Sequence, residues 1–174
     1  MPVTWTPIGP DGAYVYTMVI HPTLPTTLYV SAMEGNFKSV NGGTSWSPLG
    51  SNSPGKPAGL VVIDPVTPAT LYAATDEGLF KSMDDGMKWV SIGSGMQPAI
   101  VSHIVVDPIT PSTIYASSLS EFLLYGGVQK SVDGGMNWLV ASNGLPTAGA
   151  SHLVIDPETP ATLYAMTRQG LFKS

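Results

Sequence analysis

Short apolar runs alternate along this chain with clusters of Pro, Gly and Asx, and residues 58 to 92 show the pattern most plainly. Leu60, Val61, Val62 and Ile63 form a continuous apolar run bounded by turn residues, which predicts a strand buried on both faces. Asp64-Pro65-Val66-Thr67-Pro68 follows, and its prolines fix φ and withhold N–H donors, so neither helix nor ladder can run through it. Thr70-Leu71-Tyr72-Ala73-Ala74 predicts a second strand and Leu79-Phe80-Lys81-Ser82 a third, with Asp76-Glu77-Gly78 turning between them. Lys88-Trp89-Val90-Ser91-Ile92 is the fourth strand.

The unit repeats. His21-Pro22, Asp64-Pro65, Asp107-Pro108 and Asp156-Pro157 are spaced by 43, 43 and 49 residues, and Trp46, Trp89 and Trp138 by 43 and 49. The same turn precedes each of these tryptophans: Ser39-Val40-Asn41-Gly42-Gly43-Thr44-Ser45-Trp46, then Ser82-Met83-Asp84-Asp85-Gly86-Met87-Lys88-Trp89, then Ser131-Val132-Asp133-Gly134-Gly135-Met136-Asn137-Trp138. An Asx followed by Gly between β-forming runs is a hairpin signal, because Gly takes positive φ without steric cost and the Asx side chain accepts backbone N–H bonds. The carboxylates of Asp84 and Asp133 therefore have a local structural job, and so has Asn41. The Trp lands on the outgoing strand, where its ring can anchor that strand against a neighbouring unit.

The pattern Ser-x-Asp-x-Gly-x-x-Trp, set in Gly78-Leu79-Phe80-Lys81-Ser82-Met83-Asp84-Asp85-Gly86-Met87-Lys88-Trp89, resembles the Asp-box, or bacterial neuraminidase repeat, of β-propellers. The motif is shared by sialidases, xyloglucan-degrading glycoside hydrolases, the sortilin ectodomain and photosystem II assembly factors, so the resemblance implies a fold far more than a function. Four antiparallel strands in about 43 residues is likewise the size of a propeller blade, with a parallel solenoid as the weaker alternative.

The predicted fold is all-β: a propeller of four blades, at residues 13 to 49, 58 to 92, 101 to 141, and 151 to 174 plus 3 to 8. Thr4-Trp5-Thr6-Pro7-Ile8-Gly9 matches Ser45-Trp46-Ser47-Pro48-Leu49-Gly50, which makes it a fourth strand, while Leu171-Phe172-Lys173-Ser174 is a third strand. The N-terminal strand is therefore expected to complete the last blade, within one chain or between two chains forming an eight-bladed ring; a piece of a longer propeller is the other reading.

Composition narrows the function classes. A formal charge of −5, with Arg168 the one arginine beside six lysines, argues against a phosphate-backbone binder, so nucleic acid is not an expected partner. With no cysteine there is neither a disulfide framework nor a thiolate metal site, and no cofactor is implied. No apolar run approaches the ~20 residues needed to span a bilayer. Met1-Pro2-Val3-Thr4-Trp5 has no basic region or apolar core of a secretory signal; relatives with this repeat are often exported, and the compartment stays open.

In blades of this kind the Asp-Pro turns and Asp-boxes crowd one rim, and the second-to-third loops lie on the other, where the resemblance places the hydrolase sites. Asp64 to Trp89 spans 25 residues and Asp107 to Trp138 spans 31, so six extra residues fall in the third blade's loop on that rim, in the stretch 118 to 127. Glu121, Phe122, Leu123, Leu124 and Tyr125 there put apolar surface where solvent is expected, as a contact for a partner or as a long hairpin folded over its own blade. His103 and His152 share a column with Thr17 and Leu60 at the start of the innermost strand; they read as channel-mouth imidazoles or plain polar lining, and two His make no metal site. His21 is a turn variant. Glu34, Asp76, Glu77 and Glu121 lie by second-to-third loops, where an acid/base pair could be drawn from solvated turn residues.

No residue is assigned a catalytic role. A sialidase is excluded because the resemblance requires three arginines for the substrate carboxylate. The leading expectation is a non-catalytic scaffold binding a protein or carbohydrate on the rim opposite the Asp-boxes, through Glu121, Phe122, Tyr125, His103 and His152. Homodimerisation, by blade completion or through the 118 to 127 loop, is a further expectation. The alternatives are a xyloglucanase-like hydrolase fragment or subunit, whose relatives hold substrate between two seven-bladed propellers, and a half-propeller assembly unit.

Overall fold

The computed structural model describes residues 3–50, 57–75, 77–96, 100–118, 127–146 and 149–174, with 57–60 described in their backbone alone. Its strands form four antiparallel sheets in which strand order follows chain order. The first holds β1 (Val15–Ile20), β2 (Leu28–Ala32), β3 (Gly35–Ser39) and β4 (Ser47–Pro48), and the second β5 (Pro57–Ile63), β6 (Leu71–Thr75), β7 (Gly78–Ser82) and β8 (Val90–Ser91). The third holds β9 (Val101–Val106), β10 (Ile114–Ser118), β11 (Gly127–Ser131) and β12 (Leu139–Val140), and the fourth β13 (His152–Ile155), β14 (Leu163–Thr167) and β15 (Gly170–Lys173). This is the all-β, four-bladed propeller architecture that the period predicts.

The strand buried on both faces is the second of each of the first three blades, not the first. β2, β6 and β10 are buried along their whole length, whereas β9 alternates between buried and half-buried positions. The second strand lies mid-sheet, bonded along both edges, while the first is an edge strand of its sheet. In the terminal blades this protection weakens: β1 and β14 both carry exposed apolar side chains.

The cores lie between blades. Tyr29 and Leu49 of the first blade pack on Val61 and Leu71 of the second; Tyr72, Leu79 and Ile92 pack on Ile104, Ile114 and Trp138 of the third; Tyr115 and Val128 pack on Leu153 and Ala165 of the fourth. Each blade thus buries its apolar faces only against its neighbours, the energetic logic of a repeat protein.

The Asx turns set this spacing. Ser131 Oγ donates to Asp133 Oδ1 at 2.8 Å and accepts from Gly135 N at 2.9 Å, while Asn137 N donates to the same Oδ1 at 2.9 Å. The same bonds recur around Ser82 and Asp84 and around Ser39 and Asn41, where the amide oxygen replaces the carboxylate. Each turn is then clamped to the preceding blade. Trp138 Nε1 donates to Ile92 O at 2.7 Å, and a Cβ on Gly135 would lie 2.6 Å from Ile92 Cδ1. A Cβ on Gly86 would lie 1.9 Å from Leu49 Cδ2.

Among the described residues the last blade has no fourth strand, and the fourth sheet is three-stranded. Residues 3 to 8 lie instead beside the first blade: Trp46 Nε1 donates to Ile8 O at 2.6 Å, and a Cβ on Gly43 would lie 2.7 Å from Ile8 Cδ1. Ile8 stands toward the first blade as Leu49 stands toward the second and Ile92 toward the third. Contacts between innermost strands pass from β1 to β5, β9 and β13, and among the described residues no substantial one returns from the fourth blade to the first. The four described blades thus stand as an open arc whose first and last members do not pack on each other.

Candidate functional site

The two imidazoles that share a sequence column are brought together. His103 on β9 and His152 on β13 have ring centroids 5.1 Å apart and planes inclined by 39°. Leu153 N donates to His103 Nδ1 at 3.4 Å, which leaves the ring proton on Nε2. Burial, and secondarily the charge of His152, holds the His103 pKa below 6.5, so the ring is neutral at physiological pH. His103 pairs across the sheet with Ser117, from which the chain runs on toward the third blade's long loop, so the imidazole pair stands at the foot of that loop.

Glu121, Phe122 and Tyr125, like Leu123, Leu124 and Asp76, lie outside the described residues. Of the other carboxylates on this rim, Glu34 Oε2 accepts Tyr14 N at 3.3 Å, and Glu77 N donates to Thr75 Oγ1 at 3.1 Å. Among the described residues no three His, Asp or Glu gather in a metal-holding group.

The carboxylates of the repeats are occupied on the opposite rim. Side-chain and backbone donors of Asn137, with Ser131, hold the Asp133 pKa down to about 2. Backbone N–H groups of Lys88 and Thr159 act likewise on Asp84 and Asp156, and groups held ionised in this way are ill-matched to proton transfer at neutral pH. His21 does an aspartate's work: its Nδ1 accepts Thr23 N at 3.3 Å and Leu24 N at 3.1 Å, as Asp64 Oδ1 accepts Val66 N and Thr67 N at 2.9 Å.

One constellation is not among the sequence-based expectations. A lysine ammonium lies over a tyrosine ring in every blade: Lys38 on Tyr29, Lys81 on Tyr72, Lys130 on Tyr115 and Lys173 on Tyr164, at 5.4, 5.4, 5.2 and 5.7 Å. Lys38 continues into an ion pair with Asp85 in the next blade's turn, to which the Tyr29 hydroxyl also donates. Burial, and then this bond, raises the Tyr29 pKa; burial and the charge of Asp64 push Tyr72 up to about 12. Lys81 reaches Gly134 O at 3.4 Å in the corresponding place. These columns are legible once the repeats are aligned, and at Lys38 and Lys81 they also tie one blade to the next.

No protein-family model matches the chain, and no curated protein matches it. Solved structures do. An ancestral GH74 enzyme superposes on 100% of this chain with TM-score 0.78 at 22% identity, and a GH74 enzyme of Niastella koreensis on 95% with TM-score 0.72 at 20% identity. YCF48 bound to D1 peptide superposes on 99% with TM-score 0.59 at 17% identity. The matched region is 24%, 30% and 52% of those chains, so this chain spans about a quarter to a half of their length. At such identities the likeness is one of fold, and the fold is the β-propeller.

Proposed function

We propose that this chain is a non-catalytic scaffold whose three Asx turns are Asp-boxes and whose opposite rim binds a protein or carbohydrate partner. The observation that carries the reading is the occupation of the repeated carboxylates by backbone donors, which leaves the imidazole pair at the foot of the long loop. Such a surface offers hydrogen bonds and stacking to a partner. Glu121, Phe122 and Tyr125 of that loop, with His103 and His152, are the residues proposed to meet the partner. The peptide held by YCF48, a protein of like fold, favours a protein partner. The likeness to GH74 enzymes favours the second reading, a glycoside hydrolase subunit.

Reducing-sugar release from xyloglucan separates the two. The scaffold reading predicts no release above a heat-treated control, and release that rises with protein concentration would establish the hydrolase. Native electrophoresis through gels containing xyloglucan then tests the carbohydrate arm: retardation abolished by Phe122→Ser with Tyr125→Ser supports it, and no retardation leaves the protein partner.

A further inference from the structure

Every blade junction in the chain uses the same columns. Tyr72, Ala74 and Leu79 face the third blade from the second, and their counterparts in the fourth blade are Tyr164, Met166 and Leu171. Leu79 is 1% exposed and Leu171 77%. On the receiving side, Val61, Ile104 and Leu153 are each 1% exposed, and the first blade's counterpart, Met18, is 53% exposed. The arc therefore carries two apolar faces of opposite kind, one on each terminal blade, and each matches what the other covers at the three internal junctions.

The backbone repeats the complementarity. β3, β7 and β11 pair with short fourth strands at Phe37 and Lys38, Phe80 and Lys81, Gln129 and Lys130, and among the described residues the corresponding Phe172 and Lys173 of β15 have no fourth strand beside them. Ser47 and Pro48, the partners of Lys38 and Phe37, have Thr6 and Pro7 as sequence counterparts. Next to each pair one further bond closes the strand: Leu49 N donates to Asn36 O at 2.8 Å, Ile92 N to Leu79 O at 2.9 Å. Leu49 and Ile92 thus have two roles, a backbone bond within their own blade and a side chain against the next blade's turn. Ile8 already performs the second role on Gly43 and Trp46.

We propose that residues 4 to 8 of a second copy of this chain form the fourth strand on β15. Ile8 N of that copy then donates to Leu171 O, and its Met18 covers Tyr164 and Leu171. The contact is head-to-tail and continues the junctions already present between blades. Two arcs joined at both ends close a ring of eight blades and give each last blade its fourth strand. Because residues 4 to 8 already lie against their own first blade, no segment has to be pulled from its place.

The chain mass of 18.2 kDa makes this measurable by light scattering or sedimentation from micromolar to millimolar protein. The expected mass is that of two chains, reduced to one chain by Leu171→Glu and by Met18→Glu, both at side chains exposed in the single chain and hence harmless to its own thermal unfolding. Thr6→Cys and Lys173→Cys chains, otherwise free of cysteine, should cross-link to each other through a short bis-maleimide when mixed. A one-chain mass, a mass above two chains, or a dimer that survives Leu171→Glu overturns the proposal.

Discussion

Gly135 shows how one residue sets the distance between blades. Its φ is 97°, and any side chain there would enter the space of Ile92 Cδ1. Gly95, with φ 83° and no heavy atom within 4 Å of where a Cβ would stand, isolates the backbone part of that cost. Replacing Gly95 by Ala should cost about 1 kcal/mol from positive φ alone, and Gly135→Ala more than about 2 kcal/mol because the clash adds to it. Urea midpoints at constant m measure both, and equal losses at the two sites would show that the close approach is unimportant. The turn's own chemistry was legible because Ser131, Asp133, Gly135 and Asn137 bond within four residues of one another. The reach of Trp138 to Ile92 O was legible only as an anchor of unknown partner, since the two are 46 residues apart.

At the level of elements, the burial of a strand depends on its place in the sheet more than on its own run of apolar residues. Leu60 to Ile63 and Leu71 to Ala74 look alike in sequence, yet β6 is the one sealed between blades. The approach of β9 to β13 across a blade boundary likewise follows from column position, which is why His103 and His152 could be placed together while their 5.1 Å separation could not. The burial of His103, with His152 close by, has a pH consequence. His103 has a folded-state pKa below the unfolded value of 6.5, so the unfolded chain binds the proton more readily; stability is full above about 6.5 and falls as pH drops through 6.5 toward the lowered pKa. His103→Gln should remove this part of the dependence. Thermal midpoints at pH 7.5 and 5.5 check it, and a variant that loses as much stability on acidification as the parent would place the sensitivity elsewhere. Asp84 and Asp156 are held below the ordinary carboxylate range and Asp133 lies at about 2, so these three do not confuse the window.

For the whole molecule, the period of 43 residues reveals the number of blades but not the ring. Blade count depends on local turns and strands, whereas closure depends on a small rotation at each junction, set by side-chain volumes at positions such as Leu49 on Gly86 and Ile92 on Gly135. The match of residues 4 to 9 with 45 to 50 marks a fourth-strand sequence, and its place next to the first blade shows which neighbour it keeps. The terminal blades expose Met18 and Leu171, whose counterparts are covered at the internal junctions, and outer faces of a repeat protein are met by a polar cap or a partner.

Hydrogen exchange at the amide of Ile8 tests most directly whether this residue does for an eight-bladed ring what Leu49 and Ile92 do within the chain. The amides of Leu49 and Ile92 are bonded in their own blades and should be protected in the parent and in Leu171→Glu alike. Ile8 should be protected in the parent and exchange freely in Leu171→Glu; free exchange of Ile8 in the parent, beside protected Leu49 and Ile92, would contradict the account.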